Sequence, residues 1–543
     1  MRYPPLNCVI LFVVAFLIFS SGLGLRDPWA PDEPRFALVA KEMVSSGHWL
    51  LPTRGGELYP DKPPFFMWCI AVFYALTHVM RFAFLLPSLL AALGTLFLTY
   101  DLAKRLWGRD MGWIAGAVLL SLFQFTLQAK TAQIDGVLCF WTTLGFYGLI
   151  RHLLLGPNWR WYSISGLAIG FGVITKGVGI LPWFILIPYA VLAFRRWSFI
   201  PSIPCKNKRW LLGPAAALLV IGCWLVPLLW LSYQSQNAQL LEYRNNILFH
   251  QTITRYAHAW HHLEPFWYYL IVVAPWAWFP VTLALPWLLP RWWLALKNKD
   301  ARLGLLLGWM ICVLLFFSIS PGKRGVYILP IAPALALATA PFLKELWSSV
   351  RLQKLASGFL LSVSALLVGS GIYEIYKPTA MVLQQPVIPY FFLGFGSLGF
   401  IVWSLRGWQQ SGLTRLTVFL GLFWMGYGWV TYPVINAVRS AEPLMVQVQQ
   451  QMGPGATLGM VAWKEQLLLH APAGTVVFGF RKDLQQQWRE AIIWLSKDSN
   501  YWLLAPKDSI LWPSLAACSE SLRSIDLGYR YRQTWYLLHG CRA

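Results

Sequence analysis

The chain has 543 residues, of which 57% are hydrophobic and 12% are charged, and its mean hydropathy is +0.52. This composition excludes an ordinary soluble domain and indicates a polytopic α-helical membrane protein. The formal net charge is +22, but the basic residues cluster between apolar runs, which is typical of cytoplasmic loops. The sequence therefore predicts a lipid bilayer, and no nucleic acid, as the partner of the chain.

Apolar runs separated by basic clusters predict about thirteen transmembrane helices within residues 1–435. The first run, residues 6–25, has no clear small-residue cleavage site, so we interpret it as a retained span. Placing the basic clusters inside puts the amino terminus in the cytoplasm. The predicted spans are roughly residues 6–25, 82–101, 110–128, 134–152, 161–176, 178–195, 210–232, 266–290, 302–320, 325–343, 355–373, 388–406 and 413–433.

Between the first two spans, residues 32–80 are predicted to form interfacial helices in the first outer loop. One helix begins at Asp32, which can cap its amino end, with Pro34 in its first turn and Gly47 at its end. The apolar run 63–80 is interpreted as another, because counting it as a span would invert every later basic loop. The first helix has an apolar stripe with helical spacing at Phe36, Val39, Ala40, Met43 and Val44.

From residue 436 the chain becomes more polar, and its short apolar stretches predict a small α/β domain over residues 436–543. An odd number of spans puts this domain on the outer side of the membrane. Cys518 and Cys541 would then lie in an oxidising compartment, where a disulfide between them is plausible.

Polar residues collect on the predicted outer side. Charged groups at membrane depth are costly, so a cluster of them is expected to face a cavity and to carry function. Lysine and arginine can neutralise a phosphate, and a carboxylate can take a proton or orient an acceptor. The cluster therefore predicts group transfer from a phosphorylated lipid. Its members are Asp32, Glu33, Arg35, Tyr59, Asp61, Lys62, Lys130, Asp135, Lys176, Lys323, Arg324, Tyr327 and the loop 233–264.

The loop 250–264 is rich in possible metal ligands. Zinc or another divalent metal, such as magnesium, could bind there together with Asp61. The alternative is an interfacial loop rich in His and Trp that holds no metal. The candidate ligands in the loop are His250, His258, His261, His262 and Glu264.

Glycine motifs in the apolar runs predict helix packing rather than nucleotide binding. Residues 394–399 match GxGxxG, but no strand precedes them and they lie within a predicted span. Gly166 and Gly170 have the spacing of a packing face of small residues. The sequence contains no Walker-type phosphate loop and no DxD pair.

Several motifs, taken in order, resemble those of one family. The chain resembles the bacterial lipid A aminoarabinose transferases, which stand with the protein O-mannosyltransferases among the GT-C glycosyltransferases that use lipid-linked donors. The motifs are Trp-Ala-Pro-Asp-Glu-Pro-Arg-Phe at 29–36, Asp-Lys-Pro at 61–63, Thr-Lys-Gly at 175–177, Pro-Phe-Trp-Tyr-Tyr at 265–269, Gly-Lys at 322–323 and Tyr-Ile-Leu-Pro at 327–330.

The resemblance implies a GT-C fold and an inverting transfer at the periplasmic face of the inner membrane of a Gram-negative bacterium. The donor would be a sugar on undecaprenyl phosphate, and the acceptor lipid A or another envelope molecule. Asp32 matches the essential acid of the family, with Asp135 as a second candidate catalytic carboxylate, and Lys62 with Arg255 matches its donor-phosphate site. The implied cavity residues are Glu33, Arg35, Tyr59, Lys176, Lys323 and Tyr327.

Two departures concern the metal and the sugar. Asp61 stands where the aminoarabinose branch often has a glutamate that binds metal, and Thr252 stands where the family has its other ligand, so that His250 is the nearest substitute. The acceptor also stays open, because a protein O-glycosyltransferase would use the same chemistry on a Ser or Thr hydroxyl. A polyprenyl-lipid transporter is the alternative from a different class, and it would predict internal repeats, which the sequence lacks.

Overall fold

The computed structural model describes residues 6–540 apart from 198–199, 202, 204–206, 236, 249–261, 380–385, 406–411, 511–521 and 532. The chain divides into two compact units. The helical unit consists of Met1–Leu23, Pro60–Phe66 and Leu85–Thr431. The mixed unit consists of Gly24–Tyr59, Met67–Phe84 and Tyr432–Ala543. Each unit is therefore assembled from segments that are far apart in the sequence.

The helical unit is built from α-helices joined by short 3₁₀ and π segments. Its α-helices are Leu6–Ser20, Leu86–Trp107, Arg109–Ser121, Phe123–Ala129, Ile134–Leu153, Trp159–Thr175, Leu186–Phe194, Leu212–Ser235, Ala238–Asn245, Ala274–Ala277, Val281–Lys297, Ala301–Ile319, Ile331–Thr339, Leu343–Trp347, Val350–Tyr376, Ile388–Ser404 and Gly412–Gly426. The 3₁₀ segments are Gly177–Ile185, Lys208–Leu211, Gly325–Ile328 and Ala340–Phe342, and the π segments are Tyr269–Val273 and Tyr427–Thr431. The helix Phe65–Thr77 begins in this unit and continues into the other.

The described helices confirm a polytopic membrane protein. Within the described ranges, six helices are long and apolar enough to cross a bilayer, or eight if each of two bent pairs counts as one span. Three further apolar helices are shorter, and 13 residues of helix extend only about 20 Å against a hydrocarbon core of about 30 Å. The count of thirteen stays a prediction. The six long helices are Met80–Trp107, Gly177–Phe194, Lys208–Ser235, Ala301–Ile319, Val350–Tyr376 and Gly412–Arg439.

Close helix packing explains the glycine motifs. A Cβ added at Gly166 would lie 2.1 Å from the carbonyl oxygen of Gly213, so the Trp159–Thr175 and Leu212–Ser235 helices approach backbone to backbone. A Cβ at Gly399 would lie 2.0 Å from Oγ of Ser364, where the Ile388–Ser404 helix crosses Val350–Tyr376. Both motifs serve packing, as the sequence predicted.

The mixed unit contains a five-stranded sheet and a separate hairpin. The hairpin pairs β1 (Thr53–Arg54) with β2 (Glu57–Leu58). The sheet comprises β3 (Thr457–Met460), β4 (Val476–Val477), β5 (Tyr501–Pro506), β6 (Arg523–Arg530) and β7 (Gln533–His539) in the order β4-β3-β5-β7-β6. β3 pairs in parallel with β4 and β5, and β7 pairs antiparallel with β5 and β6.

Helices pack with this sheet around a core that includes Trp488, Leu503 and Leu538. The segment from 436 onward thus has the α/β character that the sequence predicted. The linear boundary between 435 and 436 and the periplasmic side of this segment stay predictions. The helices that lie wholly in the unit are Glu33–Ser46, Met80–Ala83, Tyr432–Arg439, Glu442–Met452, Glu465–His470, Leu484–Leu495 and the 3₁₀ turn Lys507–Ser509.

The Glu33–Ser46 helix follows the prediction except at its cap. Pro34 lies in the first turn, and Gly47 ends the helix with φ of 74°, donating its N–H to the carbonyl of Met43. Asp32 occupies the N-cap position, but its side chain makes no capping hydrogen bond, because its backbone is in the helical region (φ −96°, ψ −39°) rather than extended. The apolar stripe is buried at Phe36, Val39, Ala40 and Met43 and is covered by protein.

Candidate active site

The helical unit brings together three of the predicted site residues. Lys176 Nζ lies 2.5 Å from Asp135 Oδ1 and 4.2 Å from the centroid of the Tyr327 ring. All three residues are buried, at 5%, 9% and 8% exposure for Asp135, Lys176 and Tyr327. A buried cation held between a carboxylate and an aromatic face is favourable only because both partners are present.

Helix ends position this cluster. Asp135 is in the first turn of the Ile134–Leu153 helix, where a negative charge is favoured by the helix dipole. Lys176 directly follows the Trp159–Thr175 helix, where a positive charge is favoured, and its N–H donates to the carbonyl of Gly172. Tyr327 lies in the Gly325–Ile328 turn. Each helix end therefore carries the charge that its dipole favours, negative at Asp135 and positive at Lys176.

The segment that carries Asp61 and Lys62 is docked on the same two helices. Phe65 packs 5.6 Å from the ring of Trp141 and 5.4 Å from the ring of Phe171, and those two rings stack at 4.7 Å. Trp141 is six residues beyond Asp135, about 9 Å along the helix, and Phe171 is five residues before Lys176, about 7.5 Å. Lys62 itself is half-buried and donates to its neighbour's carbonyl at 3.0 Å.

Lys323 is held by backbone carbonyls. Its ammonium donates to the carbonyls of Glu264 at 2.8 Å and Ser320 at 2.7 Å, and its N–H donates to the carbonyl of His262. Burial lowers the pKa of Lys323, against the opposing effect of Glu264. These contacts tie the loop that follows the Ala301–Ile319 helix to residues 262–264.

Lys130, which the sequence placed in the polar cluster, is tied to the end of the first helix. Its ammonium donates to the carbonyls of Ile18 and Ser21 at 2.9 and 2.5 Å and to the hydroxyl of Ser21 at 2.6 Å. It is 2% exposed. The lysine satisfies carbonyls at the end of the Leu6–Ser20 helix that have no partner within it.

Asp32, Glu33, Arg35 and Tyr59 belong to the mixed unit. Glu33, predicted as a cavity residue, forms a buried bidentate ion pair with Arg26, one bond of which measures 2.7 Å, and also accepts the N–H of Trp29. The Arg26 guanidinium lies 4.5 Å over the Trp29 ring and 4.8 Å over the Tyr432 ring. Glu33 thus fixes the turn before the helix.

Asp27 joins the first loop to the C-terminal part. It accepts hydrogen bonds from Arg81 at 2.7 Å, Ser440 at 2.6 Å and Asn436 at 3.1 Å. Burial raises the pKa of Asp27, and these three bonds outweigh it, so that the pKa falls below its usual value. The carboxylate is therefore ionised at neutral pH and ties together segments about 400 residues apart.

Arg35 lies between two carboxylates. Its Nε donates to Glu465 Oε1 at 3.0 Å, and its Nη1 lies 3.9 Å from Asp32 Oδ1. Burial lowers the pKa of Arg35. This effect is outweighed by those of Tyr59, Glu465 and Asp32, so the pKa lies above its usual value and the guanidinium stays charged. Arg54 contacts the same oxygen of Glu465 at 3.3 Å and lies 5.1 Å over the ring of Tyr59, which is 1% exposed.

The predicted residues thus fall into two described groups. The helical unit holds Asp61, Lys62, Asp135, Lys176, Lys323 and Tyr327, and the mixed unit holds Asp32, Glu33, Arg35 and Tyr59. Arg255, His250, Cys518 and Cys541 lie outside the described residues, so the second phosphate-binding residue, the metal ligand and the disulfide stay predictions.

The metal also stays a prediction. In the described part of the chain, no three His, Cys, Asp or Glu side chains are grouped as a metal site, and Asp61 is the one member of the predicted pair that is described. His262 and Glu264 are exposed. The described donors do not form a set that holds zinc or magnesium, and no chemical step is assigned to a metal.

Sequence reasoning missed most of the mixed-unit network. Arg26 and Asp27 directly precede the motif at 29–36, and their charges near an apolar run were an available signal. No local signal in the sequence marks Arg54 or Glu465, because their contact joins residues that are 411 positions apart.

Comparison with known proteins shows which proteins the chain is similar to in sequence. A family model described as dolichyl-phosphate-mannose-protein mannosyltransferase matches residues 61–230. The undecaprenyl phosphate-alpha-4-amino-4-deoxy-L-arabinose arabinosyl transferase 1 of Pseudomonas fluorescens is 31% identical over 369 residues, which is 66% of this chain and 64% of that protein. The transferase of the same name from Pseudomonas aeruginosa is 31% identical over 338 residues, or 61% and 58%. The chain spans about three-fifths of the length of these curated relatives.

Solved structures match over nearly the whole chain. The crystal structure of ArnT from Cupriavidus metallidurans bound to undecaprenyl phosphate has a TM-score of 0.75 at 20% identity and covers 98% of both chains. The apo structure of the same protein has a TM-score of 0.74, again at 20% identity, and covers 98% of this chain and 97% of that one. The chain is thus a multi-pass membrane protein with the GT-C fold, and in sequence it resembles the undecaprenyl phosphate-alpha-4-amino-4-deoxy-L-arabinose arabinosyl transferases.

Proposed function

We propose that this protein is an integral-membrane glycosyltransferase of the bacterial inner membrane. It moves a sugar from an undecaprenyl-phosphate-linked donor to lipid A or another envelope acceptor at the periplasmic face. The observation that carries the proposal is the cluster of Asp135, Lys176 and Tyr327 in the helical unit, with the Lys62 segment docked on the same two helices. The names of the relatives support an undecaprenyl-phosphate-linked donor.

The proposed reaction is a single displacement with inversion. An acceptor oxygen attacks the anomeric carbon of the sugar, the bond from that carbon to the donor phosphate breaks, and undecaprenyl phosphate leaves with the bonding electrons. Lys62, together with Arg255, neutralises the leaving phosphate. Asp32 accepts the acceptor's proton or orients the acceptor, and Arg35 lies beside it. A long donor chain stays in lipid while its head group reacts.

Asp135 has a supporting place in this scheme. Because Lys176 already occupies one of its oxygens at 2.5 Å, the carboxylate is suited to orienting Lys176 and a substrate hydroxyl. Asp135 and Tyr327 already surround Lys176 in the folded protein. Its positive charge can therefore act on the substrate without a further desolvation cost.

The finer topology belongs to the same proposal. Thirteen spans within residues 1–435 would leave the amino terminus in the cytoplasm and residues 436–543 in the periplasm. The positive clusters between the apolar runs support this orientation. Both candidate groups would then face the compartment that contains the acceptor.

A protein O-glycosyltransferase is the second candidate. The family description that matches residues 61–230 favours it, because the proteins of that description are named for a protein acceptor. The donor chemistry would be the same, and only the nucleophile, a Ser or Thr hydroxyl, would differ.

Mass spectrometry of a deletion strain separates the two candidates. We expect lipid A from the wild type to carry a sugar-sized mass increment that is missing in the deletion strain and restored by the wild-type gene but not by Asp32→Asn. Asp110→Asn, at an exposed carboxylate on the Arg109–Ser121 helix, is the matched control and should restore it. An increment lost from envelope proteins, with lipid A unchanged, would establish the second candidate instead.

A further inference from the structure

Glu465 receives two arginines on one carboxylate oxygen. Arg35 Nε lies 3.0 Å and Arg54 Nη1 3.3 Å from Glu465 Oε1. The side chains of Glu465 and Arg54 are 12% and 8% exposed, so the contact is largely removed from water. Glu465 is the first residue of a helix in the C-terminal part, and it holds an arginine that lies 430 positions earlier in the chain.

The helix that follows Asp32 is fixed to the Glu465 helix at two points. Besides the contact of Arg35, Lys41 Nζ donates to the carbonyl of Leu469 at 2.9 Å. Arg35 and Lys41 are six residues apart, which is about 9 Å along a helix. Two contacts at that separation fix both the position and the rotation of the Glu33–Ser46 helix, and Asp32 precedes its first residue.

Arg54 is oriented by its own surroundings. Its guanidinium lies 3.6 Å over the ring of Phe480. Its hairpin is held by Glu42, whose carboxylate accepts the N–H of Gly55 at 2.7 Å and the hydroxyl of Thr53 at 2.6 Å. Arg54 therefore approaches Glu465 Oε1 from a fixed position, and Arg35 approaches the same oxygen from another direction. Without the carboxylate, two guanidinium groups would lie next to each other and repel.

We propose that Glu465 is a positioning residue of the transfer reaction, which fixes the Arg35 guanidinium beside Asp32. The C-terminal part of the chain thus contributes to turnover through this contact. This inference rests on the proposed function, in which Asp32 takes the acceptor's proton or orients the acceptor and Arg35 lies beside it. Ordering an arginine side chain costs rotamer entropy, and a partner that orders it beforehand removes that cost from the reaction.

The test uses the full chain in proteoliposomes with a lipid-linked sugar donor and lipid A. Glu465→Gln keeps the shape of the side chain and removes its charge. We expect kcat to fall roughly tenfold, because a small misplacement of a group near the reacting atoms slows the reaction. The KM for the donor should stay within about twofold, since Lys62 and Arg255 bind its phosphate. Glu490→Gln, in the exposed pair with Lys482 in the same unit, is the matched control and should retain the wild-type kcat.

Two further variants separate positioning from folding. Glu465→Asp restores the charge and should recover part of kcat. In Arg35→Lys the guanidinium is already lost, so adding Glu465→Gln should lower kcat little further. If Glu465 instead had an independent structural role, the kcat losses of the two single variants would multiply in the double variant. An unchanged kcat in Glu465→Gln, or multiplied losses in the double variant, overturns the inference while wild-type transfer stands. A wild-type protein that transfers no sugar would overturn the proposed function itself.

Discussion

Lys176 is a buried lysine in contact with a buried carboxylate and an aromatic ring. It lies 2.5 Å from Asp135 and over the ring of Tyr327, with 11% of its side chain exposed. Replacing it by alanine leaves the Asp135 carboxylate buried without its cation. We expect Lys176→Ala to lower the free energy of unfolding by about 3–5 kcal/mol.

This loss is measurable as a lower unfolding temperature of the purified protein in nanodiscs. Lys104→Ala removes an exposed lysine from the same unit and should leave that temperature unchanged. Pairing Lys176→Met with Asp135→Asn removes both charges and should recover much of the loss, because no unpaired charge stays buried. Equal unfolding temperatures for Lys176→Ala and wild type would show that the ion pair is not needed for stability.

Lys62 tests the donor site by itself. Its segment is anchored by the ring of Phe65, which packs against Trp141 and Phe171, so substitution of the lysine should leave that anchor intact. We expect Lys62→Ala to weaken binding of undecaprenyl phosphate by roughly tenfold or more, since a charge-assisted contact to phosphate is worth about 1.5–3 kcal/mol.

Binding of labelled undecaprenyl phosphate to the protein in nanodiscs measures this effect. Lys344→Ala, at a side chain that is 67% exposed elsewhere in the helical unit, is the control and should bind as the wild type does. Full retention of binding by Lys62→Ala would remove Lys62 from the donor site.

Among the helices, the crossing of Trp159–Thr175 with Leu212–Ser235 leaves no room for a larger residue. A Cβ at Gly166 would lie 2.1 Å from a backbone oxygen, which cannot move without its helix. We expect Gly166→Ala to cost about 1–3 kcal/mol of unfolding free energy. Since the first of these helices ends at Lys176, transfer activity should fall as well.

Gly358→Ala is the matched control for the helix crossing. At Gly358, in the Val350–Tyr376 helix, an added Cβ meets no atom of the described residues within 4 Å. Alanine there should be neutral or stabilise by about 0.5–1 kcal/mol. Chemical denaturation of the two variants in the same detergent compares them, and equal stability would mean that the crossing relaxes freely.

We expect His470, at the end of the short helix Glu465–His470, to make the mixed unit sensitive to acid. Burial lowers the pKa of His470 below its usual value of 6.5 and outweighs the opposing effect of Asp27. The folded protein therefore binds this proton at a lower pH than the unfolded chain does. Stability present at neutral pH is lost as the pH falls below about 6.5, because the unfolded state then gains a proton that the folded state excludes.

Unfolding temperatures at pH values of about 7.5 and about 5.5 test this expectation. His470→Gln should reduce the difference between the two temperatures, whereas His48→Gln, at an exposed histidine in the same unit, should leave it as in the wild type. An undiminished difference in His470→Gln would assign the acid sensitivity to another group.

The helix ends were the part of the site that the sequence could predict. Lys176 and Asp135 stand at the edges of apolar runs, and local hydropathy is enough to place a charge at a helix end. The cap at Asp32 was predicted from residue type and was wrong in its hydrogen bond, because the backbone angles decide where a carboxylate points. Glu465 could not be predicted, since its partner is chosen by the folding of the whole mixed unit.

Over the whole molecule, the division into two units is the feature that a linear reading did not predict. The first loop is shared: Gly24–Tyr59 and Met67–Phe84 pack with Tyr432–Ala543, while Pro60–Phe66 packs with the helical unit. The first loop thus carries the mixed-unit candidates in Gly24–Tyr59 and two of the helical-unit candidates in Pro60–Phe66. The fold class could be predicted from composition and from the order of motifs, because hydropathy and turn chemistry are local properties.

The whole-chain similarity to ArnT, with a TM-score of 0.75 at 20% identity, shows the fold, and the activity itself separates a transferase from the transporter alternative. A transporter would move the donor across the bilayer intact. A transferase cleaves the bond between sugar and phosphate. The two activities therefore differ in their chemical products, and this difference does not depend on any one residue.

Product analysis in proteoliposomes is thus the most direct test. The purified full chain is supplied with a radiolabelled sugar on undecaprenyl phosphate and with lipid A. The lipids are then separated, and their masses are measured by mass spectrometry. A transferase releases undecaprenyl phosphate and adds one sugar to the acceptor, in equal amounts, and Lys62→Ala releases much less than the wild type. An intact donor that only changes leaflet, with no free undecaprenyl phosphate, would contradict the account.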